Sequence, residues 1–194
     1  MDSNRKTAII VGALILIAYC VLGSLFLESK IIAMLLELIS GAASIGVAVL
    51  IFPILKPVNK NLTLGYTAVK IIEGVVYIVA GILLFSQIIK PETHAWINEY
   101  HVYIFGTAFL MLSYLLYQSK LVPRFISVWG IIGSTVLLLA TLINMIALGP
   151  AIPFFFSHIP VISNEIFLAV WLIAKGFNPS AIASLSVKTD INKV

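Results

Sequence analysis

Charge is scarce in this chain: 10% of its 194 residues are charged and 61% are hydrophobic, whereas a soluble domain carries about 25% charged residues. Too few polar side chains remain to cover a water-exposed exterior, so the composition calls for lipid as solvent. Cysteine is nearly absent. The lone Cys20 permits no intrachain disulfide and reads as a packing residue. No Gly-rich phosphate loop, nucleophile elbow or His-Glu-x-x-His is present, no loop is large enough to house a soluble active site, and no His/Cys/Asp/Glu cluster has metal-ligand spacing. Neither catalytic residues, a metal nor a cofactor is therefore expected. The net charge of +4 comes from basic residues scattered singly between apolar runs, with no stripe to meet nucleic acid.

Long apolar runs are what the chain does have. They extend from Thr7 to Leu27, Ile31 to Leu55, Leu62 to Ile89, Tyr100 to Tyr117, Phe125 to Leu148 and Phe154 to Ala174, each close to or above the ~20 residues that span a bilayer. The first is too long for a signal-peptide core of roughly 7–15 residues, and a lipoprotein cleavage site before Cys20 would want a small residue where Tyr19 stands. The expected fold is all-α, a polytopic bundle of six transmembrane helices in one domain, residues 1–179, followed by a polar cytoplasmic tail, 180–194. A five- or seven-helix count would require a re-entrant segment, for which 151–160 is the candidate.

Orientation follows from the loops, because short cytoplasmic loops carry the excess Lys and Arg. Arg5 and Lys6, Lys56 and Lys60, Lys120 and Arg124, and Lys175, Lys188 and Lys193 alternate onto one side. The other side has Lys30 and Lys90 among Glu28, Glu92 and Glu99, and an uncharged loop at 149–153. Trp129 and Trp171 fall near the basic side, while Trp96, Tyr100 and Tyr103 fall near the other, as interfacial aromatics do. Both termini are thus expected inside, in the plasma membrane of a prokaryote.

Four ionisable residues, Glu37, Lys70, Glu73 and Glu165, lie within apolar runs. Each costs about 2.5–3.5 kcal/mol at a helix centre, so lipid-facing positions are disfavoured. At a rise of ~1.5 Å per residue Glu73 and Glu165 fall near the midplane and Glu37 nearer the outer side. Tyr66, Lys70, Glu73, Tyr77 and Gly81 recur at helical spacing on one face, and Lys70 and Glu73 at i, i+3 are placed to pair. Glu37, Ser40, Gly41, Ser44 and Ala48 form a matching small and polar stripe, Gly130, Ser134, Thr141 and Asn144 another, and Asn164 stands beside Glu165. His94, His101 and His158 are expected at or beyond the outer helix ends, too shallow for a bis-histidine haem.

Two functional classes fit these residues. In one, Glu73 and Glu165, with Lys70, Glu37, Tyr77 and Asn144 as partners, bind a small polar or cationic ligand or a proton, with or without transport. In the other, the buried charges only fix helix register and the chain is an interaction or regulatory subunit that meets a membrane-protein partner. An intramembrane enzyme would additionally need a polar cavity open to lipid or water.

Several motifs carry a family resemblance: TAIIVG from Thr7, LLELI from Leu35, GYTAVKIIEG from Gly65, YLLYQSKLVPRFISVWGIIG from Tyr114 and LAVWLIAKGFNPSAIAS from Leu168. Over nearly its whole length the chain resembles domain-of-unknown-function family 4386, prokaryotic multi-spanning membrane proteins. The resemblance implies a multi-helix membrane fold with a basic residue and a Glu three apart on the third helix, matched here by Lys70 and Glu73, and no assigned activity. Members often have a longer stretch between the third and fourth helices than 86–99.

Overall fold

A computed structural model describes residues 3–24, 29–147 and 151–191. The expected helix ends at Leu27 and Leu148, and Glu28, Gly149 and Lys193, lie outside the described residues. The described chain is helical without strands: α1 Ser3–Ala18, α2 Val21–Ser24, α3 Lys30–Leu55, α4 Lys60–Phe85, α5 Pro91–Ser119, α6 Arg124–Ile146, α7 Phe154–Ala174 and α8 Pro179–Ile191. Counting α1 and α2 as one interrupted span, six of these segments are long and apolar enough to cross a membrane. Their outward faces agree, since Val49, Ile72, Ile132 and Val170 are all more than half exposed.

The spans close into a ring. α1 packs on α3, α3 on α4, α4 on α5, α5 on α6, α6 on α7, and α7 returns to α1. Short connections make successive spans antiparallel, which gathers Arg5, Lys56, Lys60, Lys120, Arg124 and Lys175 at one end of the bundle, the basic end. The closing contact is fixed there by Arg5, whose guanidinium donates to the carbonyls of Leu172 (3.0 Å), Ile173 (2.7 Å) and Ala174 (3.0 Å). A cation thus satisfies carbonyls that the end of α7 leaves without helical partners.

Two glycines set the tightest crossing. A Cβ at Gly74 would stand 2.5 Å from the Gly41 carbonyl oxygen, and one at Gly41 would collide with that of Gly74. α3 and α4 therefore touch backbone to backbone, as small residues allow in membrane bundles. The interior is divided lengthwise. Toward the basic end it is filled by Leu55, Leu115, Leu116, Leu121, Ile126 and Leu172, all essentially buried, and toward the other end it opens into a cavity.

Four elements depart from the sequence expectation. α5 begins at Pro91, nine residues before Tyr100. Hydropathy detects lipid-facing surface, but the added segment, about two and a half turns, is polar; it is set by Pro91 at the first helical position, with its pre-organised φ. α4 stops at Phe85 rather than Ile89 because Gln87 turns left-handed (φ 58°) and Ile88 N–H folds back to Leu83. The span expected from Thr7 is broken after Ala18, with α2 following from Val21, whereas α7 runs unbroken through Pro160 over the expected Phe154–Ala174. The polar stretch after Asn178 forms α8 as far as Ile191.

Replacing Gly74 by Ala should lower stability by about 1–3 kcal/mol, as overpacking does. Gly65→Ala, where a Cβ meets only Met111 at 3.9 Å, should be neutral or stabilising by up to ~1 kcal/mol. Denaturant unfolding in micelles checks both, and equal effects would refute the backbone crossing.

Candidate functional site

The helical spacing on α4 places Tyr66, Lys70, Glu73 and Gly81 in the interior, all buried, with Tyr77 half-buried. Glu73 lies thirteen residues into the 26 of α4, the middle of the span. Lys70 Nζ donates to Glu73 Oε1 at 2.7 Å, one turn away on the same face. Ser44 of α3 donates to that same oxygen at 3.1 Å, a reach that the Gly41–Gly74 approach makes short. The Lys70 ammonium also lies 5.6 Å from the centroid of the Phe105 ring, within cation–π range.

Glu165 comes from α7, which stands across the ring from α4. It is buried, and its Oε2 accepts from Tyr19 OH at 2.7 Å. Tyr19 occupies the break between α1 and α2, where Tyr19 N–H and Cys20 N–H bond to the carbonyls of Leu16 (3.2 Å) and Ile17 (2.9 Å), three residues back. That tightening carries the phenol into the ring. Asn164 does not assist the carboxylate. It turns to α6 and donates to the Ile126 carbonyl at 3.0 Å, in a contact where Gly130 leaves no room for a Cβ.

Between these groups lies a cavity of about 360 Å³. It runs from the end opposite the basic end, where Asn98, Glu99, Asn144 and His158 line it, down to Ser44, Lys70, Glu73 and Glu165. Aromatic walls flank the descent: Tyr77 and His101 face each other with ring centroids 4.0 Å apart, and Phe105 stands beside Lys70. Three carboxylates and one ammonium line the space, so its formal charge is negative. Lys70 is matched by Glu73. Glu165 has no basic partner within 4.0 Å among the described residues.

Of the residues singled out from the sequence, Lys70, Glu73, Glu165, Tyr77 and Asn144 line this one cavity and Glu37 does not. Glu37, on α3, is fully buried beside Gly81 of α4, with His94 Nε2 of α5 2.9 Å from its Oε1 but not aligned as a hydrogen bond. Asn98 Nδ2 approaches His94 Nδ1 at 3.4 Å. Asn144 uses its amide on the backbone of Ile152, accepting from N–H at 2.7 Å and donating to C=O at 3.1 Å, so it braces the cavity mouth instead of meeting a carboxylate. His94 and His101 are buried within α5, not beyond a helix end, because that helix starts earlier than hydropathy indicates. Among the described residues no group of three or more His, Cys, Asp or Glu could hold a metal.

Tyr19, Asn98, His101 and Phe105 were not read as site residues. The last three share the α5 face that His94 begins, at intervals of four, three and four from 94 to 105, a helical signal lost when the helix is started at Tyr100. Tyr19 left only the trace of a polar aromatic inside an apolar run.

The Lys70–Glu73 pair is a buried ion pair, so breaking it differs from replacing it. Glu73→Gln alone should destabilise by about 3–5 kcal/mol, since it strands a buried ammonium, whereas Lys70→Met with Glu73→Leu should recover most of that loss. A double-mutant cycle by unfolding in micelles reads the coupling; strictly additive single effects would show that the pair is not formed.

A family model described as "Domain of unknown function (DUF4386)" matches residues 27–92 and 87–176. No curated protein and no solved structure is significantly similar to the chain.

Proposed function

We propose that this chain, which belongs to the DUF4386 family, is a multi-pass membrane protein that binds a small cationic or otherwise polar ligand, or a proton, in its central cavity, with Glu165 and Glu73 as the acidic groups. One observation carries the reading. Three buried polar atoms on residues lining the cavity, Glu73 Oε2, Asn98 Oδ1 and His101 Nε2, have no hydrogen-bond partner among the described residues. Such atoms are costly to leave unpaired and are ordinarily satisfied by something. Glu165 adds a carboxylate with no basic group within 4.0 Å among the described residues, whose charge a ligand's positive charge or a proton would neutralise. Aromatic walls suit an ammonium group as well as an apolar body.

The orientation belongs to the same proposal. The basic end faces the cytoplasm of a prokaryotic plasma membrane, with both termini and α8 inside, and the cavity opens outward. A tag following Val194 should then resist protease added to intact cells and be digested once they are permeabilised.

A second reading, an interaction or regulatory subunit, is favoured by the exposed run Phe154 (57%), Phe155 (66%) and Phe156 (64%) beside the mouth. There a partner helix would cover the aromatics and the buried charges would only fix packing. A stable stoichiometric partner, lost when Phe155 and Phe156 are changed to Ser, would support it.

Calorimetric titration of the reconstituted protein with methylammonium, choline and tetramethylammonium, alongside a pyranine-reported proton flux, separates the readings. Saturable binding of one probe or proton movement is expected, weakened roughly tenfold or more in Glu165→Gln by loss of a charged contact, with the unfolding midpoint kept. Wild type and Glu165→Gln behaving alike in every channel would overturn the cavity-ligand reading.

A further inference from the structure

The basic end contains a second concavity, unconnected with the central cavity, of about 510 Å³. It lies between the connection from α5 to α6 and the connection from α7 to α8. Three cationic side chains, Lys120, Arg124 and Lys175, stand around it, and none of its lining residues is acidic. Among the described residues none of the three has a carboxylate within 4.0 Å; Arg124 rests instead over the Tyr117 ring, 5.4 Å from its centroid. Three like charges without counter-charge around one cleft repel one another, and an anion removes that repulsion.

The cleft is also amphipathic and held in shape. Its floor is apolar, formed by the buried Leu121, Val122 and Phe177, with Trp171 half-buried at its side. The two connections are joined by Asn178 N–H donating to the Leu121 carbonyl at 2.8 Å, with the Asn178 amide 3.4 Å from the Lys120 carbonyl. Two helices end here and two begin, so their dipoles largely offset and the positive field comes from the side chains. Lys120 holds a left-handed backbone (φ 55°), where glycine or asparagine would be less strained.

From cations above an apolar floor, at the level where membrane-spanning helices end, we propose that this cleft binds the phosphate-bearing headgroup of an anionic phospholipid. Lys120, Arg124 and Lys175 meet the phosphate, and Pro123, Trp171 and Pro179, the apolar lining residues that keep exposed surface over that floor, meet the upper acyl chain. A freely soluble phosphate would use the same cations but gain nothing from that floor, which is why the lipid is the assigned occupant.

The charges at this end also attract anionic membranes in general, so the test compares equal charge removals. The full chain is placed in nanodiscs of equal parts phosphatidylglycerol and phosphatidylcholine, and co-retained lipid is measured by native mass spectrometry. Lys120→Gln with Lys175→Gln should reduce phosphatidylglycerol preference roughly tenfold or more, because each lysine removed takes a charged contact away from the phosphate. Lys56→Gln with Lys60→Gln removes the same charge from the same end outside the cleft and should leave the preference within about twofold. Equal losses in both variants, or no loss in the first, would overturn the site. Displacement of the lipid by sn-glycerol 3-phosphate in place of phosphatidylglycerol would overturn the lipid assignment in favour of a soluble anion.

Discussion

A carboxylate at the middle of a bilayer persists only if other helices shelter it and something shares its charge. Here both conditions are met by ring closure. Glu73 and Glu165 come from helices that face each other across the bundle, and neither would be enclosed if α7 did not return to α1. The Arg5 contact with the end of α7 therefore bears on the chemistry at the centre, because it holds the seam on whose other side Tyr19 reaches Glu165. The Gly41–Gly74 crossing plays the corresponding part between α3 and α4. It brings Ser44 within hydrogen-bond distance of Glu73 and lets Lys70, Glu73 and Ser44 converge on a single oxygen. Close backbone packing and charge burial are thus linked: the first sets the short reach from Ser44 to Glu73 that helps satisfy the second.

The two carboxylates are nonetheless treated differently. Glu73 is matched by an ammonium one turn away, an arrangement contained within α4 that any assembly of this helix would keep. Glu165 instead takes its hydrogen bond from a phenol on a broken helix. Helix breaks within a spanning segment are tolerated where the irregular backbone lies within protein or lines a cavity, and Tyr19 and Val21 do line it. An uninterrupted α1 would follow helical geometry past this point, and Tyr19 would no longer be placed by the i→i−3 bonds that now position it. The interruption is therefore tied to Glu165 more closely than to the spanning role of the segment.

How far these features could be read from the residues depends on which physical signal each one leaves. Long apolar runs announce spanning helices, because nothing else satisfies a lipid-embedded backbone, so α3 from Lys30 to Leu55 and α7 from Phe154 to Ala174 match the expected spans within one residue. The polar face of α4 was legible for a related reason: charge inside such a run stands out, and its 3.6-residue spacing assigns it to one side. The opening turns of α5 were not, since a polar helical segment at a bundle end looks to hydropathy like a loop. With that start misplaced, the alignment of His94, Asn98 and His101 with Phe105 disappeared. Pairings between helices leave no one-dimensional trace at all. Nothing local distinguishes Glu37, which meets His94 outside the cavity, from Glu165, which faces into it, and nothing local joins Asn144 to Ile152 rather than to a carboxylate.

The lengthwise division of the interior bears on what kind of function the cavity serves. From its mouth the space descends past Tyr77 and His101 to Lys70 and Glu73, and just beyond them Tyr66 is buried with its hydroxyl lacking a hydrogen-bond partner among the described residues. Past Tyr66, toward the basic end, the buried side chains are mainly aliphatic, among them Leu55, Leu115, Leu116 and Leu172. A ligand can reach the carboxylates from one side in this conformation, but continuing to the other side would require parting a core packed as densely as a crystal of small molecules. The same leucines lie beneath the loops that bound the basic cleft, and the Arg5 seam closes beside them. Passage would thus have to disturb the basic end as a whole, whereas binding at Glu165 disturbs none of it. Under the proposed ligand-binding reading, occupation of the cavity would be the elementary event, and any transport would be a second step controlled from the opposite end of the bundle.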